Sequence, residues 1–227
     1  MIADNVEKVR KSIALACERA GRSPDAITLV AVTKTFDATV IKEVVGAGVL
    51  DIGENFVQEM TRKREEIHDE RIRWHYIGHL QRNKVKAIAG WIHLVHSVDS
   101  RKLTDELSTH GAQIDRSIRI MVEVNTSGEG TKFGISPEET LMFVKELTQI
   151  SNITVTGLMT VGPFLPNPED SRPAFRSLRL IQERLQEDGI NLPCLSMGMS
   201  NDFEVAIEEG ATHVRIGTAM FGKRVKA

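Results

Sequence analysis

The run TLVAVTKTF, residues 28–36, contains the pattern that decides the fold. Residues 28–33 are all apolar or β-branched, and such a run is typical of a strand covered on both faces. Strands of this kind occur in parallel sheets that carry helices on both sides. Lys34 follows directly, so the sequence places a long cation where the strand is expected to end.

Similar apolar runs alternate with helical patterns along the chain. A leading helix is predicted over 4–20, with Val6, Val9, Ile13, Ala16 and Ala20 on one face and Gly21 as its stop. The predicted strands are 27–34, 49–55, 72–80, 91–100, 119–126, 153–162, 192–200 and 213–221. The predicted helices that separate them are 37–47, 56–70, 82–89, 101–111, one beginning at 136, 171–188 and 201–210, so that every strand but the last is followed by a helix.

Eight strand–helix units within 227 residues predict the α/β class and a closed (β/α)8 TIM barrel with an extra N-terminal helix. An open doubly wound sheet is the structural alternative. No Gly/Ser linker or low-complexity tract interrupts the pattern. Residues 1–227 are therefore interpreted as a single domain.

Composition excludes several classes of partner. Lys plus Arg number 29 against 31 Asp plus Glu, so bulk charge favours neither nucleic acid nor acidic lipid. The basic run 82–86 is short and lacks aromatic neighbours, which is typical of a solvated helix face. No apolar run approaches the roughly 18 residues of a membrane span. Cys17 and Cys194 lie far apart, which favours a reduced, cytoplasmic setting.

The histidines do not predict a metal site. His75 and His79 lie four residues apart on a predicted strand, which separates them by about 13 Å. His93 and His96 are expected on opposite faces of their strand, without a third ligand.

In a TIM barrel the functional residues cluster where the strands end. The residues expected at this rim are Lys34, Glu54, Asn55, His75, His79, Asp99, Asn125, Met159, Thr160, Ser196 to Ser200, Arg215, Gly217 and Thr218. The methionines among them, Met159, Met197 and Met199, are interpreted as core filling.

Lys34 is the residue with the clearest chemistry. A lysine inside a barrel mouth loses hydration, which lowers the pKa of its amine and favours the neutral form that attacks carbonyls. Lys34 could therefore form an imine with an aldehyde. The alternative is a lysine that extends from the end of a strand into solvent.

Two small-residue turns suggest what the aldehyde carries. SMGMSND, residues 196–202, and RIGT, residues 215–218, end the last two predicted strands, where TIM barrels frequently bind phosphate. Each turn alone is also compatible with an ordinary tight turn. Together with Lys34 they indicate a phosphorylated aldehyde as the ligand.

An ordered series of motifs resembles a known family. The motifs are VAVTK, DIGENFVQE, WHYIGHLQRNK, SVDS, EVNTSGEGTKFGI, GLMTVGP, SMGMSND and HVRIGTAMFG. Their combination resembles the pyridoxal-phosphate homeostasis proteins, also called the PLP-binding protein family, from about residue 27 to residue 222. That family is similar in fold to the barrel domain of alanine racemase.

The resemblance implies a cofactor and its contacts. It implies that Lys34 holds pyridoxal 5′-phosphate (PLP) as a Schiff base and that Arg215 faces the pyridine nitrogen. No catalytic residue and no metal ligand is implied. The remaining implied contacts are Ser200, Gly217 and Thr218 to the phosphate and Asn55 beside the ring.

Arg215 also bears on whether the protein is an enzyme. A permanent cation beside the pyridine nitrogen disfavours its protonation and weakens the cofactor as an electron sink. The racemase relatives supply a second base as a tyrosine from another domain, whereas the sole tyrosine here, Tyr76, lies in a predicted strand. We therefore expect a PLP carrier for vitamin B6 homeostasis without robust catalytic turnover. The expected partners are PLP and PLP-requiring apo-enzymes, and neither nucleic acid nor membrane. A monomer is expected, and a weak dimer is the alternative.

Two alternatives stay open. One is a PLP-dependent, racemase-like enzyme of unknown substrate, and the other is an aldolase-type barrel that uses its lysine on a sugar phosphate without a cofactor. The chain also departs from the family pattern, in which a second basic residue and a proline often follow the lysine. Here Phe36 and Asp37 follow Lys34-Thr35, which puts any basic rim contact from that position in doubt. Lys132, Lys223 and Arg224 are other basic groups that could lie near the mouth.

Overall fold

Eight parallel strands close into a barrel in sequential order, from β1 through β8 and back to β1. The computed structural model describes residues 1–129 and 133–222. The strands are β1 (Thr28–Val32), β2 (Asp51–Glu54), β3 (Arg73–Tyr76), β4 (Leu94–Val98), β5 (Ile118–Glu123), β6 (Ile153–Met159), β7 (Cys194–Met199) and β8 (His213–Ile216). The closed (β/α)8 prediction is confirmed, and the open-sheet alternative is wrong.

Helices surround the barrel. They are α1 (Ile2–Arg19), α2 (Ala38–Gly46), α3 (Val57–Ile67), α4 (Val85–Ile88), α5 (Arg101–Gln113), α6 (Pro137–Leu147), α7 (Arg172–Glu187), α8 (Phe203–Glu208) and α9 (Thr218–Phe221). Short 3-10 helices occupy Pro24–Ala26, Arg82–Lys84 and Pro168–Ser171. The extra N-terminal helix, α1, buries Val6, Val9, Ile13 and Ala16 of the predicted face, whereas Ala20 lies just beyond the end of the helix and is half-buried.

Alternation along the strands divides the buried residues between two regions. Outward-facing side chains such as Ala31, Ile52 and Val214 belong to the main apolar core, which the surrounding helices cover. Inside the barrel, Leu94, Met121 and Met159 form a small apolar cluster. The rest of the interior is largely polar, and this polar interior leads to the mouth described below.

The last predicted strand, 213–221, is wrong in its second half. Strand β8 ends at Ile216, and residues 218–221 form the helical turn α9. Gly217 leaves the extended conformation at φ = −119° and ψ = −78°, and the chain turns there. The last strand is therefore also followed by a helix, which the apolar run had hidden.

Strand β3 was likewise predicted too long, over 72–80 instead of Arg73–Tyr76. Leu80 is only 2% exposed although it lies in the following loop, so an apolar residue there does not mark a strand.

Two observations concern the protein's surroundings. Within residues 1–129 and 133–222, no helix combines the length and the apolar character that crossing a bilayer requires. Both cysteines, Cys17 and Cys194, are free thiols.

Candidate functional site

Four neighbouring strands bring the predicted site residues to one side of the barrel mouth. Strand β1 pairs with β2 and β8, and β8 pairs with β7. Lys34 lies in the turn two residues beyond the end of β1 and is half-buried. The other predicted contacts follow the same pattern: Asn55 directly follows β2, Ser200 directly follows β7, Arg215 lies within β8, and Gly217 and Thr218 follow β8.

The turn that carries Lys34 has an unusual backbone. Thr35 adopts φ = 69°, a left-handed conformation that is uncommon for a residue other than glycine. The amide of Phe36 donates to the carbonyl oxygen of Thr33 at 3.0 Å and closes the turn. The amide of Thr35 donates to Glu59 Oε1, on α3, at 2.6 Å. Helix α3 therefore stabilises the strained residue beside Lys34.

A buried ion cluster stabilises the residue on the other side of Lys34. Lys63, fully buried on α3, donates to the Thr33 carbonyl oxygen at 2.7 Å. The same ammonium lies 2.6 Å from carboxylate oxygens of both Glu54 and Glu59. Glu54, Glu59 and Lys63 thus hold the backbone on both sides of Lys34, and we call this group the Lys34 clamp.

The clamp corrects one rim prediction and adds two residues. Glu54 was expected in the mouth, but its side chain is fully buried, bonded to Thr33 Oγ1 and Lys63. Burial raises the pKa of Glu54, and the Lys63 ammonium opposes this effect. Sequence reasoning missed Glu59 and Lys63 because charged residues four apart on a helix usually face solvent. The direct sequence signal was only their i, i+4 spacing.

Arg215 is a buried cation within the mouth. It is 4% exposed, and its Nη1 and Nη2 donate to Ser196 Oγ at 2.6 Å and to the Thr160 carbonyl oxygen at 2.8 Å. Burial lowers the pKa of Arg215 to about 10, against the opposing effect of Glu123 and Asp202. The guanidinium remains charged at neutral pH, and both of these hydrogen bonds go to neutral oxygens.

The turns after β7 and β8 meet at Ser200. Its hydroxyl oxygen accepts from the amides of Gly217 at 3.2 Å and Ala219 at 3.1 Å. Thr218, between them, is exposed. Phe221 of α9 packs on Phe36, with 4.9 Å between the ring centroids, so the same short helix also contacts the turn that carries Lys34.

Gly198, the second-last residue of β7, shapes the end of that strand. It adopts φ = 90°, and a Cβ built there would lie 2.6 Å from the Cβ of Ala206. Glycine is therefore required both for the backbone conformation and for the close approach of α8.

The backbone carbonyl group of Asn55 is fixed by contacts with Tyr76 and Gly78. The Tyr76 hydroxyl donates to the carbonyl oxygens of Asn55 at 2.9 Å and His79 at 3.2 Å. A Cβ on Gly78 would lie 2.5 Å from the Asn55 carbonyl oxygen, so glycine permits this approach. In the part of the chain that the structure describes, the buried Asn55 Oδ1 has no hydrogen-bond partner. A bound molecule with a suitable donor would satisfy it.

Glu123, at the end of β5, is a carboxyl group that sequence reasoning missed. Burial raises the pKa of Glu123 to about 7, Asp99 adds to the effect and Arg215 opposes it. A carboxyl that titrates near neutral pH can take up or release a proton in the mouth. The sequence signal that could have identified Glu123 is its position as the last residue of a strand whose side chains alternate between the interior and the outer face.

Three residues that were expected at the rim lie inside the barrel instead: Met159, Ser196 and His75. Met159 is buried in the interior apolar cluster, and Met197 is buried in the outer core, so both are confirmed as core filling, whereas Met199 is half-buried. Ser196 and His75 lie deeper in the interior, where both take part in a chain of hydrogen bonds. Each precedes the end of its strand, and its alternation directs the side chain inward.

The histidine predictions need a second correction. His93 and His96 were expected on opposite faces, yet each ring centroid lies 5.1 Å from that of His75. Strand β4 begins at Leu94, so His93 precedes it and is not bound to the alternation. His79 lies beyond β3, stacks on Phe133 with 4.1 Å between centroids, and lies 3.6 Å from Asp99. Among residues 1–129 and 133–222, no group of three or more His, Cys, Asp or Glu could hold a metal ion.

The remaining rim residues lie in loops at the mouth. Asn125 Nδ2 donates to the Glu129 carbonyl oxygen at 2.9 Å, and Thr160 Oγ1 lies 2.8 Å from Thr126 Oγ1. Lys132, Lys223 and Arg224, which the sequence suggested as further basic groups, lie outside the described residues.

The fold and this rim define a barrel of the alanine racemase N-terminal domain class, whose family model matches residues 5–225. Within that class, the chain belongs to the pyridoxal phosphate homeostasis protein family. The pyridoxal phosphate homeostasis protein of Aquifex aeolicus is 45% identical over 222 residues, which cover 97% of each chain.

Solved structures agree with this assignment. PipY of Synechococcus elongatus PCC7942, with PLP bound, is 30% identical, with a TM-score of 0.85 over 98% of this chain and 100% of PipY. An alanine racemase of Clostridium difficile 630 is 16% identical, with a TM-score of 0.77 over 98% of this chain and 58% of the racemase. The second likeness concerns the fold alone.

Proposed function

We propose that this chain binds PLP at the barrel mouth and serves as a reversible PLP carrier in vitamin B6 homeostasis. Three features on adjacent strands carry the proposal: the lysine after β1, the buried cation Arg215 on β8, and the hydrogen bond that joins Ser200, after β7, to Gly217, after β8. The PLP-bound structure of PipY, 30% identical over nearly the whole chain, supports the same ligand.

Each residue has a distinct role in the proposal. When bound, PLP supplies an aldehyde, with which the amine of Lys34 reacts reversibly. Ser200 and Thr218 contribute hydroxyl donors for the phosphate, and Gly217 and Thr218 contribute backbone amides, of which the Gly217 amide donates to Ser200 Oγ in this structure. Arg215 faces the pyridine nitrogen as a donor, and Asn55 lies beside the ring.

The residues present fit such a ligand. Arg215 is a nearly buried charge whose hydrogen bonds to Ser196 and Thr160 leave further N–H groups for another acceptor. The buried Asn55 Oδ1 lacks a partner among the described residues, and a bound ligand would supply one. An arrangement of donors, a cation and an amine matches a phosphorylated aldehyde with a ring nitrogen.

We further propose binding without robust turnover. Arg215 stays cationic at neutral pH, which disfavours a proton on the pyridine nitrogen and limits carbanion chemistry. The Tyr76 hydroxyl is committed to two backbone carbonyls, and burial raises the pKa of Tyr76 to about 12. It is therefore a poor acid or base at neutral pH.

The proposal extends to the protein's organisation. Residues 1–227 act as one PLP-binding domain and as a monomer, which delivers PLP to PLP-requiring apo-enzymes. The two free cysteines favour a cytoplasmic location.

A racemase-like PLP enzyme is the second candidate. Glu123 favours it, because its carboxyl group has a pKa raised by burial to about 7 and acts on the pKa of Arg215. This candidate predicts product from an amino acid at rates of about 1 s⁻¹ or more, which are typical of enzymes. Chiral chromatography of alanine incubated with the PLP-loaded protein separates it from the carrier.

The visible spectrum tests PLP binding. The wild-type protein with PLP should absorb at about 420 nm, the region of protonated PLP–lysine adducts. Lys34→Ala should lose the band, whereas Lys42→Ala, an exposed lysine on α2, should keep it. Borohydride reduction followed by peptide mass spectrometry should place the added mass on Lys34. Attachment at another lysine, or an unchanged band in Lys34→Ala, contradicts the proposal. The alternative is then a lysine enzyme that works without a cofactor.

A further inference from the structure

A chain of hydrogen bonds crosses the barrel interior below Arg215. Arg215 Nη1 lies 2.6 Å from Ser196 Oγ, and Ser196 Oγ lies 2.9 Å from His96 Nδ1. His96 Nε2 lies 2.8 Å from His75 Nδ1, and His75 Nε2 lies 2.9 Å from Asp51 Oδ1. We call these five residues the interior relay. It runs from β8 through β7, β4 and β3 to the first residue of β2.

The direction of every proton in the relay follows from its two ends. A guanidinium has donors only, so Ser196 Oγ accepts from Arg215 and has its single proton left for His96 Nδ1. A neutral His96 that accepts at Nδ1 carries its proton on Nε2 and donates to His75. His75 then donates from Nε2 to Asp51. Each link therefore has one donor and one acceptor, and the whole relay points from Arg215 to Asp51.

The far end of the relay is a fixed anion. Arg73 donates to both carboxylate oxygens of Asp51, with 2.7 Å between Nε and Oδ1. Burial raises the pKa of Asp51, but hydrogen bonds from Arg73 and His75 outweigh it and hold that pKa below its usual range. Asp51 thus remains an acceptor at neutral pH.

The two imidazoles between the ends are neutral. Burial lowers the pKa of His75 and holds the pKa of His96 well below its usual range. Five further charged or titratable groups face the two imidazoles: Arg73, His93, Arg119, His213 and Arg215. Each of these disfavours a positive charge on at least one of the two rings. The relay is therefore a neutral path between one cation and one anion.

We propose that Ser196, His96 and His75 are positioning residues that hold Arg215 in a single orientation towards the bound cofactor. Because the relay commits the Ser196 proton to His96, a lone pair on Ser196 always faces Arg215. Thr160 supplies a second acceptor, at 2.8 Å from Nη2, so the guanidinium plane is fixed at two nitrogens. This inference rests on the proposed function, since it assigns Arg215 to the PLP ring.

Nitrogen NMR of the protein without added PLP tests the direction of the relay. Long-range ¹⁵N–¹H spectra of histidine-labelled protein, assigned by single His→Gln variants, should show His75 and His96 protonated on Nε2. His93 is an internal control of the opposite kind, because Arg119 Nη1 lies 3.3 Å from its Nε2 and can only donate. His93 should therefore carry its proton on Nδ1. A proton on Nδ1 of His96, or a charged His75 or His96 at pH 7, overturns the relay.

PLP binding tests what the relay does. In Ser196→Ala we expect the PLP dissociation constant to rise about tenfold, the usual effect of losing a hydrogen bond to a charged group. The band at about 420 nm should still form at saturating PLP, because Lys34 remains. Thr156→Val is the matched control, since it removes a buried hydroxyl that donates to the Ile120 carbonyl oxygen, outside the relay. It should bind PLP within about twofold of wild type.

A second pair of variants distinguishes positioning from packing. His96→Gln retains a donor and an acceptor and should bind PLP within about threefold of wild type, whereas His96→Leu breaks both links and should resemble Ser196→Ala. If Ser196→Ala binds as tightly as Thr156→Val, or if His96→Leu binds as well as His96→Gln, the positioning role is wrong. A wild-type protein without the Lys34-dependent band overturns the proposed function itself, a result distinct from either of these.

Discussion

The ammonium of Lys63 lies 2.7 Å from the carbonyl oxygen of Thr33, the residue directly before Lys34. A fully buried cation on α3 thus acts on the backbone that presents the lysine of the mouth. Glu59, one turn earlier on the same helix, binds the amide of Thr35 on the other side. The position of Lys34 therefore depends on contacts from α3 as well as on its own strand.

Lys63→Met should strongly destabilise the protein. It removes the ammonium that lies 2.6 Å from carboxylate oxygens of Glu54 and Glu59, and leaves the fully buried Glu54 carboxyl without its counter-ion. Breaking a buried pair in this way costs about 3–5 kcal/mol. Urea unfolding measures the loss, and adding Glu54→Gln should recover part of it. A single variant as stable as Lys42→Met would show that the cluster contributes little.

Glu59→Ala should weaken PLP binding by about five- to tenfold, because the left-handed Thr35 loses its acceptor and the turn can relax. Glu59→Gln keeps an oxygen for the Thr35 amide and should show a smaller effect. Glu66→Ala is the control, since Glu66 lies on the same helix but pairs with exposed Arg62. Titration of the band at about 420 nm gives the three dissociation constants. Equal constants for the Ala and Gln variants of Glu59 would contradict a role in holding the turn.

Gly198→Ala should destabilise the barrel by about 2–4 kcal/mol, since it combines a strained φ with overpacking. The added Cβ would meet Ala206 Cβ at 2.6 Å and Phe203 Cα at 2.9 Å. Gly46→Ala is the matched control, because nothing lies within 4 Å of a Cβ at this helical position. The control should be neutral or slightly stabilising. Thermal unfolding of both variants measures the difference.

Glu123→Gln should remove a pH dependence of stability. The folded-state pKa is raised from 4.5 to about 7 by burial, so the folded state binds an extra proton in this interval. Stability therefore decreases as pH rises from about 4.5 to 7, by up to about 3 kcal/mol from this group. The variant, compared with wild type by urea unfolding at pH 5 and pH 8, should gain stability at pH 8. An equal difference between variant and wild type at both pH values would contradict the raised pKa.

The periodicity of the sequence was sufficient for the fold. Eight apolar runs separated by helical patterns allow few arrangements, because each parallel strand needs helices on its outer side. The ends of strands were less predictable. Within residues 213–221 the strand ends before Gly217 and a helical turn begins after it. Ala219 and Met220 are as apolar as the strand residues, so hydrophobicity does not show where the strand ends.

The sequence also indicated several of the strand ends at the mouth, since Lys34, Asn55 and Ser200 are each the last residue of a predicted strand. Arg215 lies early in the predicted strand 213–221 and reaches a strand end only because β8 stops at Ile216. It could not reveal what supports them. The Lys34 clamp and the interior relay depend on which face of each element its residues occupy and on contacts between residues far apart in the chain, such as His96 and Ser196. Charged or polar residues in such places resemble surface residues until the elements are packed.

The pairing of β1 with β8 joins the beginning of the chain to its end, with Leu29 opposite Val214. Lys34 lies near the start of the chain, whereas Ser200 and Arg215 lie near its end, so a growing polypeptide carries the lysine long before it carries the other two. In the proposed function, PLP is therefore retained only after β8 has been made and the barrel has closed. Chains truncated before residue 213 should fail to retain PLP during gel filtration, however much of their helical structure they have formed.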